Sequence, residues 1–196
     1  MLDGRLTMPE GATEGAVVCH PHPQYGGSME NDLVVTLARA LQAAGLATLR
    51  FDFRGVGASD GDHDGGRGEV DDVRAAAATL RARLDAARVT LVGYSFGSVM
   101  ALQAGAADSA ATTAVVAIGP PVRMIPLDFL AGTTLPLAFV TGERDQFCPL
   151  ATLEAIRARV APASTLTVIP GADHFFGTGL DVLAARVVEL VTARAG

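Results

Sequence analysis

The chain has 196 residues, enough for one domain with a sizeable core. Its formal net charge of −6 excludes the basic footprint of a nucleic-acid binder or of a protein held on anionic lipid. Hydrophobic residues make up 49%, much of it Ala, yet no apolar run approaches the ~20 residues of a membrane span.

Residues 4–8 read as an edge strand and 16–19 as the first buried strand. His20-Pro-His-Pro-Gln-Tyr-Gly-Gly27 follows as a loop. Pro21 and Pro23 keep the residues before them extended, so His20 and His22 are expected on one side. Asn31 or Asp32 caps a helix over about 32–44, stopped by Gly45. A second buried strand, 46–51, runs into the loop 52–61, where Asp52 and Arg54 read as turn-stabilising. The Gly- and Asp-rich stretch 60–68 predicts an exposed, mobile loop. A long helix to about residue 86 opens with Glu69 and Asp72 at its positive end. Further strands are expected at 89–92, 113–118, 135–140 and 166–169, and helices after Ser98, at 150–160 and at 179–193. Strands alternating with helices predict a mostly parallel, twisted sheet covered on both faces, in one domain over 1–196.

In such sheets functional residues collect beyond the carboxyl ends of strands. Val89-Thr-Leu-Val-Gly-Tyr-Ser-Phe-Gly97 is a buried strand breaking into Gly-x-Ser-x-Gly just before a helix. That is the setting of a nucleophile elbow, with Ser95 on a strained turn and Gly93 and Gly97 permitting close strand–helix crossing. A Ser hydroxyl needs a base to take its proton, usually a His. Of His20, His22, His63 and His174, only His174 follows Ser95, and it sits after the last strand. The orienting acid is expected between them. Asp145 is preferred for its place in Thr-Gly-Glu-Arg-Asp, with Glu143 as the alternative. Asp173, next to His174, reads as a loop residue.

An oxyanion hole needs two preorganised N–H donors. Phe96, after the nucleophile, supplies one. The 20–27 loop supplies the other, with Tyr25 the first choice and His22 the second. The competing use of His20 and His22 is as zinc ligands of a metal-dependent hydrolase, recruiting the Asp62-His63-Asp64 stretch. Their spacing matches no closed zinc motif, so neither metal nor cofactor is expected. Cys148, close to the proposed acid, reads as a packing thiol.

With these residues in place the chain resembles an α/β-hydrolase. The resemblance is carried by His20-Pro-His-Pro…Gly26-Gly27, Asp52-Phe-Arg-Gly-Val-Gly-Ala-Ser59, Gly93-Tyr-Ser-Phe-Gly97, Gly142-Glu-Arg-Asp145 and Ala172-Asp-His-Phe-Phe176, and covers residue 15 to the end. More narrowly the chain is similar to small bacterial hydrolases near the dienelactone-hydrolase-like group. A dienelactone hydrolase proper has Cys where this chain has Ser95. The resemblance implies a Ser95–Asp145–His174 triad and hydrolysis of small carboxylic esters through an acyl-enzyme. A thioesterase or acyltransferase would use the same triad, and a non-catalytic binding module would keep only the scaffold. Fold alone does not choose the substrate.

The expected partner is a small-molecule ester, with no nucleic acid and no membrane; a homodimer stays open. The N-terminus has no signal-peptide pattern and the two cysteines form no framework, so a cytoplasmic, reducing location is expected. Gly119–Thr134, broken by Pro120, Pro121 and Pro126, is too short and too kinked for a lid. A minimal or absent cap predicts a shallow site favouring acyl chains of roughly two to four carbons.

Overall fold

A computed structural model of the chain describes residues 1–193. Seven strands form one sheet in the order β1-β3-β2-β4-β5-β6-β7. Only β1 (Gly4–Thr7) is antiparallel, pairing with β3 (Ala47–Phe51). The others, β2 (Gly15–Cys19), β4 (Val89–Tyr94), β5 (Thr112–Ile118), β6 (Leu137–Gly142) and β7 (Thr165–Ile169), are parallel.

Because side chains alternate along a strand, a strand buried on both faces must be apolar throughout. Val17, Leu91, Ala117 and Phe139 share one core with α2 (Arg67–Leu84), α3 (Phe96–Ala107) and α4 (Leu150–Val160). Their neighbours Val18, Val92, Ile118 and Val140 share the other with α1 (Asp32–Ala43) and α5 (Leu180–Thr192). Asn31 is the cap of α1: its Oδ1 accepts from the N–H of Leu33 and Val34. Gly45, at φ 87°, ends the turn that follows. No helix among the described residues is long and apolar enough to cross a membrane.

Two expectations are corrected here. The 60–68 stretch is exposed at residues 60–62, 65 and 67, but Gly66 and Gly68 are buried and the segment is fastened to the structure. Glu69 is fully buried, and its carboxylate accepts from the N–H of Asp64 and Gly66. Asp64 Oδ1 in turn accepts from Gly68 N–H, and Arg54 holds Asp72 through several hydrogen bonds. Acids placed at the start of α2 therefore fasten the loop as well as meeting the helix dipole. The second correction concerns His20 and His22, which part company. His20 is buried in the core against Phe53, whereas His22 is half-buried against Phe96 and Tyr25.

Both ring nitrogens of His20 are occupied. Nδ1 donates to Pro21 O (2.6 Å) and Nε2 accepts from Phe53 N–H (3.0 Å), tying the β2 loop to the β3 loop. A ring so bonded has no lone pair to offer a metal. Burial lowers its pKa from 6.5 to about 4. Between these values the unfolded chain binds the proton and the folded chain does not, so stability falls as pH falls. The expected loss on going from pH 6.5 to 4 is about 3 kcal/mol from this group. Urea midpoints measured across that range should drop in the native chain and drop less in His20→Gln; equal slopes would exclude His20 as the source.

The segment between β5 and β6 forms no lid. Val122, Leu127 and Leu130 are buried in the α2–α4 core, and a 3₁₀ turn at Asp128–Leu130 packs on α3 and α4.

Candidate active site

Five loops meet at the carboxyl end of the parallel strands. Ser95 stands between β4 and α3 at φ 53°, ψ −120°, a conformation that strains any residue with a Cβ by about 1–3 kcal/mol. Its N–H donates to Ile118 O (2.8 Å), and Ser98 Oγ donates to its carbonyl (2.5 Å). The turn also needs its two glycines. A Cβ on Gly93 would lie 2.3 Å from Gly97 O, and one on Gly97 2.4 Å from His20 O.

The loops after β6 and β7 bring Asp145 and His174 to Ser95. His174 Nε2 lies 3.0 Å from Ser95 Oγ, and its Nδ1 2.8 Å from Asp145 Oδ2. Asp145 and His174 are both buried, whereas Ser95 is half-buried and so open to a ligand. Asp145 Oδ1 accepts from the N–H groups of Phe147 and Cys148, at 2.8 Å each. With both carboxylate oxygens facing donors, His174 carries its proton on Nδ1 and turns a lone pair toward the Ser95 hydroxyl.

The remaining candidates fall elsewhere. Glu143 is exposed and accepts from Gly171 N–H through Oε2, which ties the β6 loop to the β7 loop. Asp173 Oδ1 closes a local turn by accepting from Phe175 N–H. Cys148 is fully buried, and burial pushes its thiol up to about 12, as befits a packing residue. Asp52 Oδ1 accepts from Met29 N–H, 23 residues away, which ties the loop after β3 to the segment before α1 rather than closing its own turn.

Tyr25 must be withdrawn as an oxyanion donor. Its N–H donates to His22 O (3.1 Å) in the turn Pro23–Tyr25, and its side chain is 81% exposed. Gln24, Gly26 and Gly27 also use their N–H groups within the loop, and Pro21 and Pro23 have none. Between Pro21 and Gly27 that leaves the N–H of His22, the second choice from the sequence. Gln24 N–H donates to His22 Nδ1, which fixes the ring, and burial, then the nearby His63, lowers its pKa. Phe96 begins α3, so its N–H has no acceptor inside the helix.

Two contributors escaped the sequence. Gly119, at φ 53°, leaves space that a Cβ would fill at 3.1 Å from Asp145 Oδ2 and 3.3 Å from His174 Nδ1. The sign was a Gly directly after a strand. Tyr94 has no such sign: its OH, buried under the site, donates to His174 O (3.0 Å). Burial, with the charges of Asp145 and Asp173, pushes the phenol pKa up, so it remains a donor. Tyr94→Phe keeps the ring and removes that one bond, worth about 0.5–1.5 kcal/mol. Ester turnover by this variant should show kcat lower by about 3–10-fold with KM unchanged; a fall in Tm alone would make the bond purely structural.

Residues 17–135 match the family model described as the alpha/beta hydrolase fold. The chain belongs to the α/β-hydrolases. An uncharacterized protein of Rickettsia prowazekii is 34% identical to this α/β-hydrolase over 86% of its chain and 79% of the relative's. An alpha-beta serine hydrolase homologue from Coxiella burnetii superposes with a TM-score of 0.88 at 32% identity, covering 96% of this chain and 90% of the other. A lidless α/β serine hydrolase from Xanthomonas campestris gives 0.86 at 33% identity, covering 98% and 88%. The α/β-hydrolase fold described above is shared with such neighbours, whose descriptions support a hydrolase.

Proposed function

We propose that the chain is a serine hydrolase that cleaves small carboxylic esters through an acyl-enzyme. One observation carries this: a single imidazole, His174, is bonded to Asp145 on one nitrogen and to Ser95 on the other. In the proposed reaction Ser95 Oγ attacks the ester carbon while His174 Nε2 takes its proton. The carbonyl oxygen, now negative, lies against the N–H groups of Phe96 and His22. Asp145 stabilises the imidazolium and holds the ring in register. As the intermediate collapses, His174 gives its proton to the departing alkoxide. Water then enters, His174 takes one of its protons, and the acid is released as Ser95 is reprotonated.

The absence of a lid among the described residues leaves Ser95 open to water, which favours hydrolysis over transfer of the acyl group to another acceptor. Descriptions of the Coxiella and Xanthomonas neighbours as serine hydrolases support the choice of nucleophile. A thioester would use the same triad with a different leaving group. The test is a fluorophosphonate probe, which phosphonylates activated serines. Peptide mapping should place the label on Ser95, with loss of activity in proportion. A label elsewhere, or none while esters are still cleaved, would overturn the assignment.

A further inference from the structure

Three consecutive side chains after β7 take three different places. His174 is buried with Nε2 at Ser95, Phe175 is 63% exposed, and Phe176 is buried in the core beside Tyr94. Phe176 holds φ 51°, the left-handed region that a bulky residue rarely enters. Phe175 N–H donates to Asp173 Oδ1 (3.0 Å). A closed turn on one side and an anchored ring on the other thus fix Phe175 at the surface. Single exposed apolar side chains are common and need no explanation. A strained backbone that holds one against the proposed base does, because such strain collects at ligand-binding sites. The Phe175 ring centre stands 5.6 Å from that of His174, edge-on at 84°. Phe147 meets the same imidazole at 4.8 Å and 62°. It is half-buried, with its N–H on Asp145 Oδ1 (2.8 Å) and its carbonyl accepting from Arg123 N–H (3.5 Å).

The proton transfer says what these two rings meet. When the tetrahedral intermediate collapses, the leaving oxygen must lie about 2.6–3.2 Å from His174 Nε2 to take its proton. The carbon group on that oxygen is therefore held next to the imidazole. Two sides of His174 are already filled. Asp145 occupies Nδ1, and buried Tyr94 lies 5.6 Å away with its OH on the His174 carbonyl. Phe147 and Phe175 are the half-buried and exposed neighbours. A ring one or two bonds from the leaving oxygen comes within about 4.5–7 Å of them, the distance at which aromatic pairs attract.

We infer that Phe147 and Phe175 form the leaving-group subsite and that the substrates are esters of aryl or arylmethyl alcohols. The inference rests on the serine-hydrolase reading above. A planar ring on the alcohol covers the exposed Phe175 and takes up edge-to-face contact with both phenylalanines. A methyl leaving group reaches neither. The selectivity is exerted on the alcohol because both rings stand against the group that protonates it, His174, and the acyl part is left free to vary.

Methyl, cyclohexylmethyl and benzyl acetates share one acyl group and vary only the alcohol. Dividing each kcat/KM by that ester's own rate constant for alkaline hydrolysis removes differences in leaving-group acidity. For the native chain the corrected benzyl-to-methyl ratio should be about tenfold or more, and benzyl should exceed cyclohexylmethyl by about threefold. In Phe175→Ala and in Phe147→Leu the benzyl-to-methyl ratio should fall by about 3–10-fold. The ratio compares two substrates of one protein, so a loss of folded enzyme does not move it. Phe175 is exposed, so Phe175→Ala buries no less of the core and decides the matter alone should Phe147→Leu fail to fold. A native ratio near one, equal rates for benzyl and cyclohexylmethyl, or a ratio unmoved in Phe175→Ala would overturn the subsite. If Ser95 is still labelled by fluorophosphonate and methyl acetate is still cleaved, only the subsite falls. With neither labelling nor turnover of any ester, the hydrolase reading falls with it.

Discussion

Ser95→Ala is expected to lower kcat for activated esters by about 10⁵-fold or more, since the acyl-enzyme has no other atom to form on. His174 Nε2 then faces a methyl group, and no other hydroxyl is described on it. Any remaining rate would come from water activated by His174 and from the N–H groups of Phe96 and His22. The fold should survive. Ala keeps the Cβ that already sits at φ 53°, and the bonds from Ser95 N–H to Ile118 and from Ser98 Oγ to its carbonyl use backbone atoms that Ala retains. Purified variant with native circular dichroism, a Tm within a few degrees of the parent and no probe labelling is the expected result. Near-native turnover in that folded protein would remove Ser95 from the mechanism.

Asp145→Asn should cost about 10⁴ in kcat. The hydrogen bonds around Asp145 say why. Its Oδ1 accepts two N–H bonds, from Phe147 and Cys148, so in the variant the amide oxygen must take that place. The amide NH₂ is then forced onto the side of His174 Nδ1. Two donors cannot face each other, so the ring must carry its proton on Nε2 and meet Ser95 as a donor rather than an acceptor. The base is lost without any atom moving far. Glu143→Gln, by contrast, keeps an oxygen able to accept from Gly171 N–H, and its turnover should stay within about threefold of the parent. Steady-state rates of the two variants on one ester decide between the acids. A greater loss in Glu143→Gln would make Glu143 the group that matters.

Much of this site was legible in the sequence because it is local or ordered along the chain. Ser95 is marked by a strand, two glycines and a helix within a single stretch, and the strain at its backbone follows from that local grammar. His174 is the only histidine that follows Ser95, so chain order alone named it. Asp145 over Glu143 was a preference drawn from one turn, and in the structure Asp145 Oδ2 lies 2.8 Å from His174 Nδ1. The sheet, with its alternating cores, was legible from apolar runs too short to be anything but buried strands.

Other features depend on which backbone groups are already satisfied, and that is known only after folding. Tyr25 and His22 are three residues apart with the same kind of N–H, but a 3₁₀ turn takes one and leaves the other. His20 and His22 share a motif, yet one stitches two loops inside the core and the other borders the cleft. Glu69 looked like a helix-start acid and is also the clamp of a loop. The hydroxyl of Tyr94 reaches a carbonyl eighty residues further on. Composition and order along the chain determined the strands, the place of Ser95 at the end of one of them and the rank of the candidates around it. Long-range packing and the allocation of each donor to one acceptor decided which N–H of the 20–27 loop is left over, the role of His20 and the shape of the cleft, because both are properties of distant segments brought together.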